Sequence, residues 1–283
     1  MKKIASGNIL AANIKKAGLS IKNFRLTRSA FAFPYVVFML VFIIVPLFLL
    51  LSNAFTVTDA VSGDKSFSFD NFKSFANDGS SVKTLSLSLI YGVVTTGLCI
   101  IIGYPAAFVL SKLSSGKLLL ILFLVPMWIN FLIRTLATRA MFTLLNVELG
   151  TGTVIFGLVY NYLPFMILPI HTSLTSIDKA YGEASADLGA SSIQTFIKVN
   201  FPLSIPGLVS GITMVFIPTI TTFAVTELLG GVWLFGDSIY SKFKSVNLYG
   251  VGSVMSLIML VFVLVSDMAM RKVNKGEVAR NVI

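Results

Sequence analysis

Long apolar runs separated by short clusters of charge dominate the chain. The first is apolar from Ala30 to Ser52. The others lie between Lys83 and Lys112, Lys117 and Arg134, Glu148 and Asp178, Lys198 and Glu227, and Lys244 and Asp267. A helix rises about 1.5 Å per residue, so roughly 20 apolar residues cross about 30 Å of hydrocarbon. The runs therefore predict six spanning helices, near 30–52, 86–110, 117–136, 153–174, 204–229 and 248–269. The third is short, and Lys117 can lengthen it by reaching back to the interface. Pro34, Pro46, Pro105, Pro126, Pro164, Pro169 and Pro218 fall within the runs. Each removes an internal hydrogen bond and predicts a kink, with the freed carbonyl satisfied by a neighbouring helix. The longest polar excursion, 53–83, carries Asp59, Gly63, Asp64, Asp70, Asp78 and Gly79, so part of it reads as loop. Residues 137–151 form a second polar segment.

Composition agrees with this reading. The chain is 55% hydrophobic and 12% charged, about half the charged share of a soluble domain. The net charge of +10 is mostly a topology signal. Lys2, Lys3, Lys15, Lys16, Lys22, Arg25 and Arg28 precede the first span without an acid among them. With that tail inside, Lys112, Lys117, Lys179, Lys198, Arg271, Lys272, Lys275 and Arg280 bring the inner segments to 15 cations. The outer segments hold seven: Lys65, Lys73, Lys83, Arg134, Arg139, Lys242 and Lys244. The bias places both termini in the cytoplasm. It divides the chain into a basic tail (1–29), a six-helix membrane domain (30–270) that includes the inner segment 176–204, and a second cytoplasmic tail (271–283). Nothing in the charge pattern calls for nucleic acid. The first apolar block is too long for a cleaved leader and lacks a small-residue cleavage site. The lone Cys99 excludes a disulfide framework.

One inner segment departs from the apolar pattern, between spans four and five, reading SIDKAYGEASADLGASSIQTFIKVNFPLSIPG over 176–207. Ser176 is a candidate N-cap, with Asp178 in the first turn. Gly189 is a left-handed stop. Ser191 and Gln194 have capping-box spacing for a second helix, which Pro202 ends or bends into span five. Small residues surround the turn, and Glu183 and Asp187, four apart, share one helix face. The product is a compact knob with an acidic side, fit either for a partner's cleft or for packing on its own bundle.

Glu183-Ala184-Ser185, three residues, Gly189, nine residues, then Val199-Asn200-Phe201-Pro202 resembles the EAA loop of ABC-importer permeases, with mild departures at Ser185, Val199 and Phe201. PMWINFLIRTLA (126–137), YLPFMILPIHTSL (162–174), PLSIPGLVSG (202–211), FIPTITTF (216–223) and ELLGG (227–231) resemble the B-type permeases of spermidine/putrescine importers. The resemblance implies an all-α polytopic membrane protein of the type I importer permease fold, built on spans two to six with an extra first helix. It also implies a non-catalytic subunit without cofactor or metal, and transport by alternating access. The expected partners are two copies of an ATP-binding subunit, a second related permease in a heterodimer, and an extracytoplasmic substrate-binding protein. Glu183, Ala184, Ser185, Asp187, Gly189 and Pro202 would couple the chain to the ATPase. A polyamine needs carboxylates for its ammonium groups and aromatic faces for cation–π contact. Glu227, at the end of span five, would supply the first, and Trp128, Tyr160, Tyr162 and Phe223 the second. His171 stands where that family often has tyrosine and reads as structural.

Two alternatives stay open. Within the family, the solute is ferric iron, phosphate or another small molecule. Outside it, an ion-coupled secondary transporter would need ionisable residues deep in the spans, and five of the six runs have none internally. The stretch Gly231–Ser238 half-matches a phosphate-binding loop but lacks its lysine, so any ATPase is another chain.

Overall fold

The computed structural model describes residues 28–58 and 65–280. Most of the basic tail, the Asp59–Asp64 part of the polar excursion and residues 281–283 lie outside the described residues. The chain divides into two units, 1–52 and 53–283. The first contains α1 (Arg28–Met39), a π turn (Leu40–Ile44) and most of α2 (Val45–Ala54). Its large apolar side chains from Phe33 to Leu51, the half-buried Leu50 apart, are exposed, as a lipid-facing span requires.

The second unit is the bundle. A two-stranded antiparallel ribbon, β1 (Thr56–Thr58) with β2 (Lys65–Phe67), pairs Val57 with Ser66. It leads to the amphipathic α3 (Asp70–Asn77) and the long α4 (Gly79–Lys112). The Asn71 amide fastens the excursion by donating to the carbonyls of Asn53, Ala54 and Thr56 at 3.0–3.3 Å. Asp78 caps α4, accepting from the Ser80 backbone N–H at 3.1 Å. Its bonds to the Ser80 and Ser81 hydroxyls, and then Lys242, hold the carboxyl well below the usual range.

After α4 come α5 (Gly116–Leu124), a 3₁₀ turn (Val125–Trp128), α6 (Phe131–Leu144) and α7 (Thr151–Ser176). The short α8 (Lys179–Asp187) and α9 (Ser192–Thr195) precede a π turn (Phe196–Asn200) and α10 (Phe201–Thr221). The small α11 (Ala224–Leu229) and α12 (Phe235–Lys244) lead to α13 (Tyr249–Arg280). The core is the mutual packing of α4, α7 and α10, with α13 against α10. Cys99, Met166, Ile167, Ile170 and Val215 form its centre. His171, 4% exposed, is buried in α7.

Among the described residues, five helices are long and apolar enough to span a membrane, and a sixth span requires counting α5 and α6 together. That is the first correction to the sequence reading. The expected third span, 117–136, is two helices meeting at 91°. Pro126 ends α5 in a 3₁₀ turn, Ile129 is extended, and the Asn130 side chain restarts the helix by accepting from Leu132 N–H at 2.9 Å. The helix then runs to Leu144, into the segment read as polar. The second correction concerns span five. It ends at Thr221 rather than 229, because Pro218 withholds a donor from the last turns and Thr222 turns extended. The β-branched run Thr219–Thr222 has little helical preference to oppose the break. Glu227 therefore sits on α11 and does not end the span. The second span begins at Gly79, earlier than expected, because Asp78 caps it there.

Both π turns stop two residues before a proline, Pro46 and Pro202. The wider turn accommodates a ring that lacks an N–H and crowds the preceding turn. Pro202 thus does not end the helix, which is continuous from Ser192 to Thr221.

Candidate functional site

The two helix breaks, at 129–130 and 222–223, line the same cavity of about 490 Å³. Irregular backbone at membrane depth is tolerated where it lines a cavity or is buried in protein. Trp128, Tyr162 and Phe223 stand in its wall, together with Arg134 and Asn161. Trp128 is 87% exposed, whereas the Tyr162 hydroxyl donates to the Pro218 carbonyl at 3.4 Å. Three of the five expected pathway residues are therefore brought together.

The other two lie elsewhere. Tyr160, one turn-face away on α7, borders a second cavity of about 410 Å³ with Phe156 and Met141. Arg134 lines both cavities. Glu227 borders a small cleft of about 80 Å³ with Trp233, Asp237, Tyr240 and Lys244. Phe223 of the large cavity stacks on Tyr240 of the cleft, ring centres 5.0 Å apart. The Lys244 ammonium lies 4.4 Å over the Tyr240 ring.

Four residues of these sites escaped the sequence reading. Arg134, counted there as an outer-segment cation, is 7% exposed. Its Nε donates to Asn161 Oδ1 at 2.7 Å and a terminal nitrogen to the Pro126 carbonyl at 3.0 Å. Asn161 also donates to the Thr135 hydroxyl at 3.3 Å. The available signal was polarity itself, a cation and an amide within apolar sequence. Asp237 is equally buried and accepts from the Thr226 hydroxyl and the Leu234 N–H, both at 2.8 Å, which joins α11 to α12. Burial, with the Glu227 charge adding, pushes its carboxyl up to about 6. Tyr240 carried no sequence signal at all.

The knob is built closely as expected, with one change. Asp178, not Ser176, caps α8, accepting from Ala180 N–H at 3.0 Å, because α7 extends through Ser176. Gly189 has φ +77°. Its N–H donates to Ala186 at 2.8 Å and that of Ala190 to Ser185 at 3.0 Å, the paired bonds of a Schellman stop. Ser191 and Gln194 form the reciprocal capping box. The Ser185 and Thr195 hydroxyls meet at 2.9 Å and tie the two helices. Glu183, Ala184, Asp187 and Gly189 are exposed. Tyr181, Leu188 and Ile193 are exposed beside them, Leu188 at 89%, so the knob presents apolar anchors as well as acids. Pro202 is half-buried at the foot of α10, away from the turn.

Residues 98–277 match the binding-protein-dependent transport system inner membrane component family. The chain belongs to that family. The permease is 33% identical over 263 residues to the spermidine/putrescine transport system permease protein PotB of Escherichia coli (strain K12), covering 84% of this chain and 95% of that one. It is 32% identical to the PotB protein of Haemophilus influenzae, covering 87% and 92%. Among solved structures it is similar to a bacterial ABC transporter that imports the acidic polysaccharide alginate (TM-score 0.63, 18% identity, 87% of this chain and 98% of that one). It is also similar to the inward-facing MetNI methionine ABC transporter (TM-score 0.59, 19% identity, 69% and 95%). At those identities the structures speak for the fold alone. The permease is an all-α, multi-pass membrane protein with the ABC type I importer fold.

Proposed function

We propose that the permease is the transmembrane subunit of an ATP-driven polyamine importer. The carrying observation is similarity to spermidine/putrescine permeases over 84% of the chain and 95% of the relative. In this reading both termini and the 176–204 loop are cytoplasmic and 53–83 is outside. Two ATPase subunits lie inside, one of them docked on the exposed knob, a second related permease completes a heterodimer, and an extracytoplasmic binding protein delivers the substrate. ATP hydrolysis belongs to the partner chains. When the ATPases close, α8 and α9 move as one unit because the Ser185–Thr195 hydrogen bond ties them. The rod from Ser192 to Thr221 carries that motion to the cavity.

Trp128, Tyr162 and Phe223 offer aromatic faces to methylenes and ammonium groups, and Glu227 offers a carboxylate in the neighbouring cleft. The test is spermidine and putrescine uptake by cells carrying wild type or Glu227→Gln at equal membrane abundance. A raised KM supports the assignment, and unchanged uptake across concentrations removes Glu227 from the path. Single-cysteine labelling at position 195 in a Cys99→Ser background checks the orientation; labelling from outside alone refutes it. One observation favours a second reading, import of a small anion: the cation lining the large cavity, Arg134, has no carboxylate partner among the described residues. Phosphate uptake by the wild-type complex without polyamine uptake would decide for it.

A further inference from the structure

Arg134 is the least expected side chain of the bundle. A guanidinium is always charged, burying one without a counter-charge is costly, and ionisable groups retained within a membrane bundle mark transport paths. This one is 7% exposed and lines two cavities of about 490 and 410 Å³. Its two hydrogen bonds go to neutral acceptors, Asn161 Oδ1 and the Pro126 carbonyl, and Tyr160 lies 5.5 Å from its carbon centre. None of these cancels the charge. The bonds fix its position, so the cavity carries a permanent positive field.

We propose that Arg134 is a specificity-determining residue of the transport path, a fixed cation that bars small inorganic cations from the cavity and prevents a cationic substrate from being held there. The inference rests on the polyamine reading. An importer of cations must admit its substrate without conducting potassium or sodium. A fixed positive charge in a low-dielectric passage repels a hydrated monovalent ion. A polyamine carries several charges and is repelled more strongly than a monovalent ion. It offsets that repulsion with contacts of its methylenes and ammonium groups to Trp128, Tyr162 and Phe223, contacts that a hydrated inorganic ion does not make along a chain. The same repulsion shortens its stay, as transport requires. Two unit charges about 10 Å apart at an effective dielectric near 20 change affinity by roughly tenfold.

The alternative role is that of a staple, since the guanidinium joins the α5–α6 break to α7. The two roles separate by substitution. Lysine keeps the charge and loses the fork, whereas methionine and glutamine lose both. The complete complex of both permeases, ATPase and binding protein is reconstituted into potassium-loaded vesicles, and potassium efflux is followed beside spermidine uptake. The expected result is a potassium leak roughly tenfold above wild type in R134M and R134Q, a wild-type leak in R134K, and a lower KM with a lower turnover in the neutral variants. Equal leak in R134K and R134M, or no leak in any variant, overturns the proposal. If neither neutral variant assembles, the residual leak of the wild-type complex decides. Chloride ahead of potassium supports the fixed cation, and potassium ahead of chloride overturns it. Spermidine uptake by the wild-type vesicles reports separately on the polyamine reading.

Discussion

Replacing Gly189 should damage coupling while leaving the bundle standing, and the structure supplies the magnitude. The residue sits at φ +77°, and a Cβ built there meets no atom within 4 Å. Crowding therefore contributes nothing, and the cost is the left-handed conformation alone, about 1–2 kcal/mol for a residue with a side chain. Flipping the residue to a favourable φ would break the bonds to Ala186 and Ser185, at about 1 kcal/mol each, so escape is no cheaper than strain. Only the energy that the free knob recovers by leaving the turn weakens docking, so one or two kcal/mol sets a ceiling of roughly five- to thirtyfold on the loss of ATPase binding. Asparagine tolerates this region better than other residues that carry a side chain, and a β-branched residue tolerates it worst. The expected order of ATPase retention is thus Gly, Asn, Ala, Val. The assay is reconstitution with purified partners, measuring bound ATPase and hydrolysis with and without loaded binding protein, with permease pairing checked by co-purification. Equal loss in Gly189→Asn and Gly189→Val would show that backbone handedness is not what matters. Normal coupling in both would make the knob a mere connector.

Two further outcomes follow from buried polar contacts. Tyr104 and Ser204 share a 2.6 Å hydrogen bond between α4 and α10, while the Ser204 hydroxyl donates to the Phe201 carbonyl at 2.9 Å. Tyr104→Phe removes one donor without stranding the serine and should cost about 1 kcal/mol, read as a shift of about 3 °C in thermal unfolding; no shift would mean that water replaces the phenol. Asp237, raised by burial to about 6, binds its proton more tightly in the folded chain than in the unfolded one. Its stabilising contribution is present below the unfolded value near 4 and is lost as pH rises through about 6. Thermal stability should therefore increase from about pH 7 to about pH 5, and Asp237→Asn should flatten that slope. Asp78, shifted downward by the Ser80 and Ser81 hydroxyls and Lys242, acts in the opposite sense but only as pH falls below the ordinary carboxylate range. An unchanged slope in Asp237→Asn would refute the assignment.

The sequence by itself determined the solvent, the existence of the spanning helices and the local build of the knob, but not where spans three and five break. In hydrocarbon every backbone group must be satisfied inside the protein, so only helices and closed barrels span, and uninterrupted apolar runs of about 20 residues select the helix. The stop at Gly189 and the capping box of Ser191 and Gln194 were legible because caps and left-handed turns are local, settled by residues within four positions of one another. Ser176 misled because two acceptable caps stood two residues apart, and only the length of α7 chose between them. The tertiary structure alone decided the pathway. Arg134 reaches Asn161 and Asp237 reaches Thr226, across gaps that no local pattern reports. The breaks at 129–130 and 222–223 needed a cavity to line, and the cavity exists only once α5, α6, α7, α10 and α11 have packed. Packing also placed Glu227 in a cleft apart from Trp128, Tyr162 and Phe223. Spacing along the chain constrains neighbours on one helix, but which faces of different helices meet depends on the shape of every side chain between them.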